Sequence, residues 1–94
     1  MGSPTFECDR QKAVLNQAEH GVSFDEAITV FRDQLAAIHG DPDHSLGEER
    51  SIIIGHSSKR RLLVVAFTDR KGKIRIISAR PVTRRERRAY EESR

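Results

Sequence analysis

The chain has a single cysteine, no tryptophan, one tyrosine and three prolines in 94 residues. One thiol, Cys8, excludes an internal disulfide and any cysteine-based zinc site, and it suits a reducing compartment. There is no apolar run of the length a membrane helix needs and no signal-peptide pattern, so the chain reads as neither spanning a membrane nor secreted. No internal repeat, Gly-rich phosphate loop or nucleophile elbow is present. No two of the four histidines stand at i, i+3 or i, i+4, so no helical metal site is expected. Ninety-four residues allow one domain with a modest core, taken here as 1–94 with residues 1–4 a loose start.

What the chain has is charge, and it is unevenly placed. Lys59–Arg94 holds 13 Lys/Arg against four Asp/Glu, whereas Met1–Ser58 holds four against ten. The net charge of +3 conceals that separation. Arginine outnumbers lysine in the basic third, and its planar fork grips phosphate through two hydrogen bonds at once. A dense Arg-rich surface on a small domain is the footprint of a phosphate-bearing partner. The competing reading is a solvated face whose arginines pair with neighbouring carboxylates.

Local patterns predict the order β-α-α-β-β-β-β-α. Thr5–Cys8 reads as a short strand. Asp9 caps a helix over 10–20 that carries Val14, Leu15 and Ala18 and stops at Gly21. Ser23-Phe24-Asp25-Glu26 has the capping-box pattern, with Val22 and Ala27 as a hydrophobic staple and Phe24, Ala27, Ile28 and Phe31 as a core stripe. Strands follow at Leu35–His39, Ser51–His56, Arg61–Thr68 and Lys73–Arg80, with a hairpin turn over Asp69–Gly72 and a polar loop over Gly40–Glu49. Arg61–Thr68 is apolar on both faces, which predicts a central strand. Thr83-Arg84-Arg85-Glu86 is a second capping box, opening a helix to Glu92 with little but Ala89 and Tyr90 to bury. The expected fold is α+β: an antiparallel sheet of four to five strands, two N-terminal helices packed on it, and a C-terminal helix.

Strand alternation puts Arg75 and Arg80 on opposite faces unless a bulge intervenes. Arg80, at the strand end, is the first candidate for phosphate contact. Arg84, Arg85, Arg87 and Arg88 crowd the C-terminal helix, and Lys59, Arg60 and Arg61 precede the central strand. His20 caps a helix end, while His44 and Glu49 fall in the polar loop before the Ile-rich strand.

Several segments, in order, resemble the BrnT toxins of bacterial type II toxin–antitoxin modules. They are His20-Gly21-Val22-Ser23-Phe24, Asp41-Pro42-Asp43-His44-Ser45 with Glu48-Glu49-Arg50, Arg61-Leu62-Leu63-Val64-Val65, Ile74-Arg75-Ile76-Ile77-Ser78-Ala79-Arg80, and Arg84-Arg85-Glu86-Arg87-Arg88-Ala89-Tyr90-Glu91. The resemblance covers about Phe6 to Glu92. It departs at Phe6-Glu7-Cys8-Asp9, where the family pattern has tryptophan in place of Cys8.

The resemblance implies a RelE-like fold and a cytoplasmic bacterial endoribonuclease that cuts RNA, mRNA in particular, and inhibits translation. It implies a BrnA-like antitoxin that masks the toxin in a dimeric or heterotetrameric complex. Operator DNA would be reached only through that antitoxin. No cofactor is expected. An RNase that works without metal uses the substrate's 2′-hydroxyl as nucleophile, so it needs a base, cations on the phosphorane and an acid. The catalytic candidates are Arg80, Arg75, His20, His44 and Glu49. Lys59, Arg60, Arg61, Arg84, Arg85 and Arg88 are the nucleic-acid-binding candidates. The alternative reading uses the same basic face in a non-catalytic nucleic-acid-binding or partner-docking module.

Overall fold

Gly21 sits at φ 69°, a conformation that costs a glycine little, and there the first helix stops. The computed structural model describes residues 4–40 and 50–93. Their order is β1 (Thr5–Cys8), α1 (Arg10–His20), α2 (Phe24–Thr29), a 3-10 turn (Val30–Arg32), β2 (Ala37–Gly40), β3 (Ser51–His56), β4 (Leu62–Arg70), β5 (Lys73–Pro81) and α3 (Arg84–Glu92). The class and element order are those read from the sequence. The expectation for residues 1–3, and those for His44 and Glu49, fall outside the described residues.

The five strands form one sheet in the order β1-β5-β4-β3-β2. The three consecutive pairs β2–β3, β3–β4 and β4–β5 are antiparallel, the last two joined by short turns. β1 adds to β5 in parallel, with Phe6 opposite Ile74 and Glu7 opposite Arg75, so the sheet is mixed where an antiparallel one was expected. The helix pair carries the chain from β1 at one edge of the sheet to β2 at the other. β4 is the central strand, and its residues from Leu62 to Val65 are all buried.

One face of the sheet is the core. Ile53 from β3, Leu63, Val65 and Phe67 from β4, and Ile74, Ile76 and Ala79 from β5 pack against Val22, Phe24, Ala27 and Val30. Phe6 and Phe31 close the β1 side, their rings 5.1 Å apart and edge-on. Gly55 lets the segment after the 3-10 turn approach β3, since a Cβ there would lie 2.7 Å from that of Ala36.

Two sequence readings need correction. Val14 and Leu15 of α1 point to solvent, 64% and 59% exposed, while Asn16 is buried. The reason lies at the sheet edge. β1 pairs with β5 only through Ile76, so Ala79, which pairs with Val65 of β4 on one side, has no strand partner on the β1 side. The Asn16 side chain stands in for one: Nδ2 donates to Ala79 O at 2.8 Å and to Val22 O at 2.9 Å, and Oδ1 accepts from Ala79 N at 3.0 Å. Burial of the backbone polar groups outranks burial of two aliphatic side chains.

The box at Ser23 is also only half made. Ser23 Oγ accepts from Glu26 N at 3.0 Å, but the Glu26 carboxylate turns inward and is 4% exposed. It accepts from Ser57 Oγ at 2.6 Å and from Arg61 Nε at 2.9 Å, with a further bond from Arg61 Nη2. The Arg61 guanidinium, more than burial, sets its pKa, which lies below the usual carboxylate value. Glu26 thus ties α2 to the β3–β4 turn. The second box, at Thr83 and Glu86, is complete.

Candidate nucleic-acid interface

A bulge decides which arginines share a surface. Ala66 pairs with Ser78, but the next residue, Phe67, pairs with Ile76, leaving Ile77 as the extra residue in β5. Beyond the bulge the alternation is reset. Arg80, Ser78 and Arg75 stand opposite Val64, Ala66 and Thr68, which are alternate residues of β4. Arg75 and Arg80 therefore lie on the same face, the one turned away from α1 and α2. Four residues of β4 separate their partners, or ~13 Å.

The two arginines have different surroundings. Arg80 is half-buried and bound twice by Glu86, Nη1 to Oε1 at 2.7 Å and Nη2 to Oε2 at 2.8 Å, with Nη1 also 3.2 Å from Pro81 O. Glu86 in turn accepts from the Thr83 N–H at 2.9 Å. Held first by Arg80 and then by Thr83, its carboxyl is drawn down to about 2. The same pairing raises the pKa of Arg80. The first-ranked phosphate contact is thus occupied by its own neighbour, and it fastens α3 to β5. Tyr90 completes the fastening: it is 4% exposed, its hydroxyl donates to Leu35 O at 3.2 Å, and its ring meets that of His56 edge-on at 6.0 Å. His56 is set by Asp33, whose Oδ2 accepts the His56 N–H at 2.8 Å and lies 3.7 Å from Nδ1. That backbone bond is the main reason the Asp33 carboxyl titrates low.

Arg75 is exposed and makes no hydrogen bond or ion pair with a described residue. It lines a depression of about 240 Å³ with Glu7, Thr68, Arg70 and Lys73, at the end of the sheet that carries the β4–β5 turn. That turn is tight: Lys71 and Gly72 both have positive φ, 54° and 86°, the pattern of a primed two-residue hairpin. It sends Arg70 and Lys73 back as a cross-strand pair. Lys73 Nζ is 3.6 Å from Glu7 Oε1.

The remaining candidates are dispersed. Arg84, Arg85, Arg87 and Arg88 are exposed along α3, which begins where β5 ends. Lys59 and Arg60 are exposed in the β3–β4 turn, where Arg60 adopts a positive φ of 62°, while Arg61 is committed to Glu26 and to Gly21 O at 3.0 Å. His20 ends α1 on the helix side of the sheet, 3.8 Å from Glu19. The acidic partners Glu26 and Glu86 were read only as helix caps, and their i+3 spacing gives no sign of a distant arginine. Glu7 was also missed, because nothing local announces that β1 returns in parallel beside Arg75. Among the described residues no cluster of three His, Cys, Asp or Glu is able to hold a metal ion. None of the described helices is long and apolar enough to cross a membrane.

A family model described as the ribonuclease toxin BrnT of type II toxin–antitoxin systems matches residues 9–86. Among solved structures, the 1.1 Å crystal structure of the Brucella abortus ribonuclease toxin BrnT is similar in fold, with a TM-score of 0.63 at 19% identity over 87% of this chain and 100% of that one. No curated protein sequence matches the chain. The family model begins at the α1 cap and ends at the Glu86 that holds Arg80, so it takes in four of the five strands and both helix–sheet junctions. On that match the chain belongs to the BrnT family of ribonuclease toxins of type II toxin–antitoxin systems.

Proposed function

We propose that the chain is a metal-independent endoribonuclease that cuts mRNA on the open face of its sheet, inhibits translation in the bacterial cytoplasm, and is neutralised by a BrnA-like antitoxin. The observation that carries this reading is the Ile77 bulge, which gives Arg75 and Arg80 one face, where Arg75 makes no hydrogen bond or ion pair with a described residue. Family membership supplies the reaction class. The roles of individual residues rest on the geometry alone.

In this reading Arg75 grips the scissile phosphate. A guanidinium aimed at the phosphorane stabilises charge that exists only in the transition state, a contribution of about 3 kcal/mol per lost donor. Arg80 keeps α3 at the rim, and Arg84, Arg85 and Arg88 hold flanking phosphates. Lys59 and Arg60 extend the cationic surface at the far end of the sheet, while Arg61 serves Glu26. A base must reach the 2′-hydroxyl. His20 stands on the other side of the sheet from Arg75, and His44 and Glu49 lie outside the described residues. The antitoxin covers the basic surface as a dimeric or heterotetrameric complex, and that complex, rather than the toxin, contacts operator DNA.

The test is cleavage of a synthetic mRNA by the purified chain in excess EDTA. The expected products carry 2′,3′-cyclic phosphate and 5′-hydroxyl ends, and Arg75→Ala slows their formation about 100-fold. Tight, salt-sensitive binding with no cleavage would favour the non-catalytic binding module instead. Activity that EDTA removes would overturn metal independence.

A further inference from the structure

Glu7, Arg75 and Thr68 form a row across three adjacent strands. Glu7 is opposite Arg75 in the parallel β1–β5 pair, and Arg75 is opposite Thr68 in the antiparallel β4–β5 pair. Neighbouring strands lie ~4.8 Å apart, so the row spans ~10 Å, about the reach of one nucleotide and its phosphate. The whole row is on the open face. Phe6, next to Glu7, packs into the core against Phe31, which turns Glu7 outward. All three residues line the depression, together with Arg70 and Lys73. Thr68 is only 4% exposed, so it forms the floor.

From this arrangement we infer that Glu7 is the general base of the cleavage reaction. The inference rests on the ribonuclease reading above and gives it the proton acceptor it lacked. Chemistry selects Glu7 in three ways. Among the described residues it is the one carboxylate that lines the depression. It is not held by an arginine through more than one bond as Glu26 and Glu86 are: its contact with Lys73 is 3.6 Å, and both side chains are exposed, at 41% and 68%. And it flanks the cation best placed for the phosphate, so a 2′-hydroxyl next to a phosphate on Arg75 comes within its reach. The other charged groups nearby are Asp9, which caps α1, and Lys12, both beside Glu7 in an adjoining hollow.

The step balances without a co-reactant. Glu7 takes the 2′-hydroxyl proton as the 2′-oxygen forms a bond to phosphorus. Arg75 faces the phosphorane charge. The bond from phosphorus to the 5′-oxygen breaks, and that oxygen leaves as an alcohol after taking a proton from solvent at the open rim. A 2′,3′-cyclic phosphate remains, and Glu7 returns its proton to water.

The experiment compares wild type, Glu7→Gln and Lys73→Met on a defined RNA, scoring cleavage rate from pH 4 to 9, product ends, Tm, and affinity for a 2′-deoxy analogue at the cleavage position. Glu7→Gln is expected to lose ~100-fold or more in rate, to lose the acidic limb of the pH profile, and to bind the analogue as well as wild type. Lys73→Met, which removes the same ion pair but keeps the base, is expected to retain far more activity. Should Glu7→Gln unfold, Glu7→Asp gives the reading, with a loss of about tenfold expected from a base withdrawn by one methylene. A folded Glu7 variant within threefold of wild type, with its pH profile intact, overturns the inference and leaves the ribonuclease reading standing. A wild-type chain that binds RNA without cutting it overturns both.

Discussion

The two ends of the sheet use arginine in opposite ways. At the end where β3 turns into β4 and β5 runs into α3, Arg61 and Arg80 are each held by a glutamate through more than one bond. At the end that carries the Lys71-Gly72 turn, Arg70, Lys73 and Arg75 surround an open depression. Both ends come from the same basic third of the chain. Arginine content alone therefore does not locate a site. What distinguishes the two ends is that a glutamate from elsewhere in the fold holds Arg61 and Arg80, whereas Arg75 makes no hydrogen bond or ion pair with a described residue, and that is a property of tertiary structure.

Substitution should separate the two ends, and the largest effect on stability belongs to the closed one. Arg61→Ala leaves the Glu26 carboxylate buried beside a lone Ser57 hydroxyl. The Tm is expected to fall by about 10 °C or more in a thermal scan, while the fraction still folded cleaves RNA as before. At the open end the pattern inverts. Arg75→Ala is expected to cost cleavage about 100-fold with Tm within about 2 °C of wild type, since an exposed residue without a described partner contributes little to the fold. An Arg75→Ala chain that cleaves normally would end the assignment of that depression.

Arg80→Ala falls between them. It was the leading catalytic candidate in the sequence, yet the pairing with Glu86 makes it a tie for α3. The expected cost is about 1–2 kcal/mol of stability after allowing for solvent screening of a partly exposed pair, with a rate loss well below that of Arg75→Ala. A collapse of activity at unchanged Tm would restore Arg80 to the reacting centre.

The pair also leaves a mark in acid. Glu86 has its folded pKa lowered from 4.5 to about 2, so its contribution is full above about pH 4.5 and is lost as the pH falls towards 2. Tm measured against pH for wild type and Glu86→Gln should differ by a constant amount near neutrality and converge between those two values. The smallest effect is that of Arg88→Ala on α3. RNA affinity should weaken slightly for every sequence, with a salt dependence shallower by about one phosphate contact and Tm unchanged.

The fold was legible because its local signals agree. Gly21, the Thr83–Glu86 box, the apolar run of β4 and the Lys71-Gly72 turn each specify one conformation, and the described elements follow them closely. The site was less legible because its decisive features are not local. Alternation puts Arg75 and Arg80 on opposite faces, and no residue of Ile76-Ile77-Ser78 marks the bulge that reverses this. Ser23 and Glu26 fit a capping box by spacing, but Arg61, distant in sequence, competes for the carboxylate and wins, because a bidentate charged bond is stronger than one to a backbone amide. Asn16 looks like a surface residue of an amphipathic helix until the unpaired edge of β5 is set beside it.

The most direct test follows backbone amide shifts by NMR as a non-cleavable RNA, 2′-deoxy at the cleavage position, is titrated into the chain. The account predicts that the largest shifts cluster on Glu7, Thr68, Arg70, Lys73 and Arg75 and extend more weakly to the start of α3. Shifts concentrated instead on Ser57–Arg61 and the end of α1, with the depression silent, would contradict it.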